Sequence, residues 1–142
     1  MYTSGEGEFG QLGHNDREHH FAPRQVEPGR FGGERVVFVA AGRLQTVAVT
    51  TAGRLCTWGA GADGRLGHGD TRGRLLPTQV GAGAFRGLAV VMAACGLGHT
   101  LVVTHNGALW ACGCGLHGRL GLNDDVCVVD LIRRVPVWNS KV

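Results

Sequence analysis

The chain has 142 residues, 44% of them hydrophobic and 18% charged, a balance that suits a globular fold and excludes a disordered chain. The net charge of +3 comes with no dense basic run, so nucleic-acid binding is compatible with the composition but not indicated. The longest apolar run, Leu88 to Cys95, falls far short of the roughly 20 residues of a membrane helix; five cysteines and a start without a signal-type pattern imply an intracellular setting, cytoplasmic or nuclear.

Along the chain, the first feature is Gly5, Gly7 and Gly10 in the spacing G-x-G-x-x-G, followed by Leu12 and Gly13. The same spacing marks dinucleotide-binding turns, so a nucleotide site is the first reading to test. Pro23 sits in a stretch that suits an edge strand. Next come "VVFVA", "LQTVAVTT" and "RLCTW", short runs rich in Val and Thr, with "TAGR" as a tight turn before the third. The glycine cluster returns as Gly59, Gly61, Gly64, Leu66 and Gly67, and Pro77 marks a second edge strand. Apolar runs resume at Leu88, and Asn106-Gly107 predicts a type I′ hairpin turn. A third cluster follows: Gly113, Gly115, Gly118, Leu120 and Gly121. No stretch keeps a 3.6-residue apolar period, so helices are expected to be minor.

The three clusters lie 54 residues apart. Residues 36–70 match residues 90–124 at 16 of 35 positions, and residues 1–35 match 55–89 at 14 of 35. That is a repeat of one supersecondary unit, with a partial first unit over 1–35, a second over 36–89 and a third over 90–142 in a single repeat region. Three dinucleotide clamps in 142 residues have little use. A dinucleotide turn would also open a helix, whereas here the glycines lead to a loop and a proline-bearing strand. The glycines are read instead as hinges, with Leu12, Leu66 and Leu120 plugging the seams between units.

"GLGHTLVVTHNGALWACGCGLHGRLGLND" and, one unit earlier, "GRLQTVAVTTAGRLCTWGAGADGRLGHGD" resemble the repeats of the regulator of chromosome condensation family. The resemblance covers nearly the whole chain. It implies an all-β fold, a partial β-propeller of four-stranded antiparallel RCC1-like blades, with about 2.6 units of a ring that usually has seven. The family's usual His stands at His99 but is Gln45 one unit earlier; its usual Trp stands at Trp58 but is Cys112 and Ser4 in the other units. With so few units, the expectation is a stretch of a longer propeller, with self-association through exposed blade edges as the second reading.

The resemblance also implies a role for His99: structural, buried and hydrogen-bonded across the blade. Cys112, Cys114, Cys95 and His99 could be assembled into a zinc set, but packing is the more natural role because Cys112 replaces Trp58. Asp16, Asp70 and Asp124 end each glycine loop and are read as caps accepting backbone amides. No catalytic motif stands out, so neither an enzymatic activity nor a cofactor is expected. Arg54, Arg65, Arg72, Arg74 and Arg119 lie in or beside the glycine loops and are the candidate partner-binding residues. The resulting expectation is a protein-interaction module that docks other proteins. The alternative implied by the family is guanine-nucleotide exchange on a small GTPase of the Ran type, with chromatin docking.

Overall fold

A computed structural model describes residues 1–124 and 126–136, and ten strands lie among them. β1 (Tyr2–Gly5) and β2 (His20–Gln25) form an antiparallel pair. β3 (Val36–Ala41), β4 (Gln45–Thr50), β5 (Leu55–Gly59) and β6 (Arg74–Gln79) form a four-stranded antiparallel meander in chain order. β7 (Val90–Cys95), β8 (His99–Thr104), β9 (Leu109–Cys114) and β10 (Val128–Arg134) repeat it. Among the described residues, helical structure is confined to 3₁₀ turns at Pro28–Phe31, Ala62–Gly64 and Leu116–Gly118.

The 54-residue period carries directly into geometry. β1 and β2 are the counterparts of β5 and β6, and the pairing Gly59↔Arg74 reappears as Gly113↔Val129, one residue late. The extra residue lies in the loop before β10. Expectation and structure differ at the hairpin turn. Gly107 takes φ 80° and Gly53 φ 73°, but Asn106 is not in the left-handed region. Gly107 N bonds Thr104 O at 2.8 Å, and Thr104 N bonds Ala108 O at 3.0 Å. This is a three-residue loop closed by a left-handed glycine; it asks for positive φ at one position where a type I′ turn asks for two.

The sheets stack face to face. Val47 and Val49 of β4 point into the core shared with the third unit, with Val90, Ala93 and Val102, while Ala48 joins Val26, Phe31 and Trp58 on the side of the first unit. β4 and β5 are therefore buried at every residue. β8, of similar sequence, alternates between half-buried and buried because, among the described residues, another sheet covers only one of its faces.

Candidate interaction surface at the glycine-loop end

Each glycine cluster folds as two consecutive turns. Gly10 N bonds Gly7 O at 2.7 Å and Gly13 N bonds Gly10 O at 3.0 Å; Gly64, Gly67, Gly118 and Gly121 make the equivalent bonds at 3.0 to 3.1 Å. A Cβ on Gly61 would run into the Arg72 carbonyl, one on Gly7 into Glu18 O, and one on Gly115 into Val126 O, so the first loop residue must lie flat against the returning chain. The 3₁₀ turns inside the loops span three residues and are broken by Asp63 and His117, both at φ 60°. No helix opens at Gly64 or Gly118, which removes the basis for a phosphate cradle. The loops share one frame but differ at their tips: Glu8-Phe9, Ala62-Asp63 and Leu116-His117.

In the first two loops the residue before the leucine makes the seam. Gln11 O accepts from Thr46 Oγ1 at 2.8 Å and Trp58 Nε1 at 2.9 Å; Arg65 O accepts from Thr100 Oγ1 at 2.7 Å and Cys112 Sγ at 3.5 Å. The exchange of Trp58 for Cys112 thus keeps a donor at the seam, though a weaker one. Three expectations need correction here. Leu120 is 3% exposed although the described residues hold no further sheet beyond it, so its burial does not depend on a following unit, and in the first two loops the seam bonds run through the residue before the leucine. Arg65 is 7% exposed, not a surface contact: its guanidinium bonds Ala62 O, Leu97 O and the Asp63 carboxylate, fastening the loop tip to the next unit. His99 is half-buried, and its Nδ1 has no hydrogen-bond partner. The bond across the seam belongs to its counterpart Gln45, whose Nε2 donates to Gly96 O and His99 O, both at 3.2 Å. The His99 ring lies along Gly96 as Gln45 lies along Gly42, so it points away from the second unit.

The remaining arginines divide between two ends of the blade. Arg72 and Arg74 both pair with Asp70, at 3.2 and 2.9 Å, and their hydrogen bonds, Arg74 first, hold the Asp70 carboxyl well below the usual carboxylate range. Asp70 Oδ1 also accepts the Arg72 amide at 2.9 Å, and Asp16 accepts the Glu18 amide at 3.2 Å. Asp124 instead pairs with Arg133 across the loop at 2.9 Å. Arg119 Nε bonds Leu116 O at 2.7 Å within the third loop. Arg54 lies at the opposite end of β5, paired with Glu34 at 2.7 Å, so the five arginines do not form one patch.

A feature missed in the sequence sits under the loops. Thr3 Oγ1 contacts His14 Nε2 at 2.8 Å, and Thr57 Oγ1 contacts His68 Nε2 at 2.8 Å. Burial, helped by Arg24 for His14 and by Arg74 for His68, lowers both imidazole pKa values. The signal was present, since Thr3 matches Thr57 and His14 matches His68 across the repeat. Burial pushes the Cys56 and Cys95 thiols up to about 11 and Cys112 to about 12, the behaviour of packed cysteines. Among the described residues, no three His, Cys, Asp or Glu side chains converge as a metal site.

The sequence profile of the Regulator of chromosome condensation (RCC1) repeat matches residues 1–49 and 52–103. The chain belongs to the RCC1 repeat family. Its RCC1 repeats are 40% identical over 125 residues to human E3 ubiquitin-protein ligase HERC2, a match covering 85% of this chain and 2% of that protein. They are 38% identical to the ultraviolet-B receptor UVR8 of Arabidopsis thaliana, covering 87% of this chain and 27% of the receptor. The chain thus spans a small part of these relatives. Human WBSCR16 superposes with a TM-score of 0.83 at 24% identity, over 97% of this chain and 35% of its own. Prp20p of Saccharomyces cerevisiae, whose structure was described with its binding properties to Gsp1p and histones, superposes at 0.80 and 19% identity, over 98% and 34%. The RCC1 repeats here are therefore an arc of a β-propeller built from four-stranded antiparallel blades. No helix among the described residues is long and apolar enough to cross a membrane.

Proposed function

We propose that this arc is a protein-docking module, without catalysis of its own, that meets its partners through the glycine-loop end. The observation that carries the reading is the pair of variable residues at each loop tip on an invariant two-turn frame. Phe9 and Leu116 are exposed at the first and third tips, and the Arg72 guanidinium is solvent-facing beside the second loop. Arg74 and Arg119 extend the same rim, whereas Arg65 is consumed by the seam and Arg54 faces the other end. Exposed apolar side chains at two of the tips, with arginines in or beside the second and third loops, suit a polar-rimmed protein interface. The family membership supports proteins as the class of partner, in an intracellular setting.

The test compares cross-linked partners of the full chain from cell extract with those of a triple variant, Phe9→Ser, Arg72→Glu and Leu116→Ser, and of a control, Arg54→Ser. Partners lost only in the triple variant support the reading. A partner set unchanged by the triple variant, or lost equally with Arg54→Ser, refutes it. Guanine-nucleotide exchange on a Ran-type small GTPase is the competing function. Accelerated release of labelled nucleotide from a GTPase panel would favour it over docking.

A further inference from the structure

The loop from β6 to β7 repeats the loop from β2 to β3 bond for bond in its backbone. Ala84 N to Gly81 O, Arg86 N to Gly83 O and Leu88 N to Phe85 O, at 2.9 to 3.1 Å, match Arg30 N to Glu27 O, Gly32 N to Gly29 O and Glu34 N to Phe31 O, at 3.1 to 3.2 Å. In both, the hairpin turn of the following unit closes on the loop, Thr51 N donating to Arg35 O at 2.9 Å and His105 N to Ala89 O at 2.8 Å. On this shared frame the side chains differ in one coordinated way.

At the first seam Arg54 reaches across the loop: its guanidinium pairs with Glu34 at 2.7 Å and donates to Phe31 O at 3.3 Å. A Cβ on Gly32 would stand 2.6 Å from Arg54 Nη2, so position 32 has no room for a side chain. At the second seam the counterparts of Arg54, Glu34 and Gly32 are Ala108, Leu88 and Arg86. The short Ala108 side chain leaves open the space that Arg54 fills one unit earlier. Arg86 keeps the left-handed backbone of its counterpart, φ 54° against 64°, a conformation that strains a residue with a side chain. It is exposed, and among the described residues its guanidinium makes no ion pair or hydrogen bond. No contact within those residues accounts for the strain.

Phe85 and Gly87, on either side of Arg86, line a pocket of about 220 Å³ between this loop and the β4–β5 turn, with Ala52, Val80 and Leu88 also in its walls. Its one charged wall residue is Arg54, whose guanidinium is committed to Glu34. The volume lies below the roughly 300 Å³ at which small-molecule sites begin and above the roughly 150 Å³ that holds a benzene ring, room for one phenylalanine or leucine side chain. We infer that this end of the second seam is a second docking site, for an extended peptide segment of another protein that places one bulky apolar side chain in the pocket and an adjacent carboxylate on Arg86. A guanidinium with free donors binds a carboxylate through two parallel bonds, and an apolar anchor seated in a preformed pocket is the contact that dominates interface affinity. At the first seam the guanidinium and the acid satisfy each other instead. The pocket lies within the second unit, at the opposite end from the glycine loops, so the inference stands apart from docking there.

The probe is the peptide SGDFDGS, titrated to millimolar concentration against the full 142-residue chain, with amide shifts read by NMR. Saturable shifts centred on residues 52–55 and 79–89 are expected. The peptides SGDADGS and SGNFNGS, which lack the anchor or the carboxylates, should bind about tenfold more weakly. Arg86→Gly restores the residue of the first unit, so it should weaken SGDFDGS about tenfold while raising the urea midpoint, a combination that a purely structural arginine would not give. Ala52→Leu, at an exposed wall position, should weaken binding by a similar factor by filling the pocket. The folded glycine-loop variant Phe9→Ser, Arg72→Glu, Leu116→Ser should bind as the parent does. Absence of saturable shifts, equal binding of SGNFNGS, or binding unchanged by Arg86→Gly overturns the proposal. So does loss of binding in the glycine-loop variant, which would place the peptide at the other end.

Discussion

Thr46→Val and Thr100→Val delete the same hydroxyl from two successive seams, and the structure makes their consequences unequal. Both side chains are buried, and each donates to the carbonyl before a loop leucine. With Thr46 gone, Gln11 O keeps the Trp58 indole N–H at 2.9 Å; with Thr100 gone, Arg65 O keeps only the Cys112 thiol at 3.5 Å. A hydrogen bond whose acceptor stays satisfied contributes about 1 kcal/mol, while a buried acceptor left without a good donor costs about 1 to 3 kcal/mol. Thr46→Val should therefore lose about 1 kcal/mol and Thr100→Val about 2 kcal/mol, a difference of roughly 3 °C in Tm for a chain of this size. Urea unfolding should show shifted midpoints with unchanged slopes. Placing Thr100→Val on a Cys112→Ser background, where a hydroxyl replaces the thiol, should bring its cost down toward that of Thr46→Val. Equal losses for the two single variants, or no relief from Cys112→Ser, would refute the view that each seam carbonyl depends on its second donor.

Two further predictions follow from the loops. Gly61→Ala places a methyl group against the Arg72 carbonyl and should cost about 3 kcal/mol or more, whereas Gly83→Ala meets nothing within 4 Å and should stay within about 0.5 kcal/mol of the parent; urea midpoints separate the two. Because burial lowers the pKa of His14 and His68 in the folded state, the unfolded chain binds protons first as pH falls, so stability is full above about pH 6.5 and declines below it. The urea midpoint should drop between pH 7.5 and 5.5 in the parent and drop less in a His14→Asn, His68→Asn variant; identical pH profiles would contradict the link.

What could be read from the sequence was whatever recurs with the period. Gly61 and Gly115 occupy equivalent positions because the returning chain leaves no room for a side chain, and short Val- and Thr-rich runs become strands because nothing else fits a pleated, half-buried surface. The roles of single polar residues were harder to read, because they depend on what stands opposite. Arg65 looks like a surface cation until the next unit supplies Leu97 O as its acceptor. Gln45 looks like a departure from the family's His, yet it makes the bond expected of His99. Asn106-Gly107 signals a reversal correctly, but the dipeptide does not say whether the loop has two residues or three.

The contrast between β4 and β8 shows where stability resides in such an arc. "QTVAVT" and "HTLVVT" differ little in hydrophobicity, yet the first is buried at every residue and the second only at alternate ones. The difference arises at the seams, because among the described residues β4 has a neighbouring sheet on each face and β8 has one. In a quasi-one-dimensional array, a unit's own ladder and its seams are separable contributions. Leu101 and Val103, half-buried on the open face of β8, are the positions of Val47 and Val49 one unit earlier. Replacing Val47 or Val49 removes side chains that two units share, while replacing Leu101 or Val103 removes side chains that only one unit holds. The same chemical change is thus a seam defect in the second unit and a surface change in the third, which is why residue identity cannot be converted into energetic weight in this fold without knowing what each face touches.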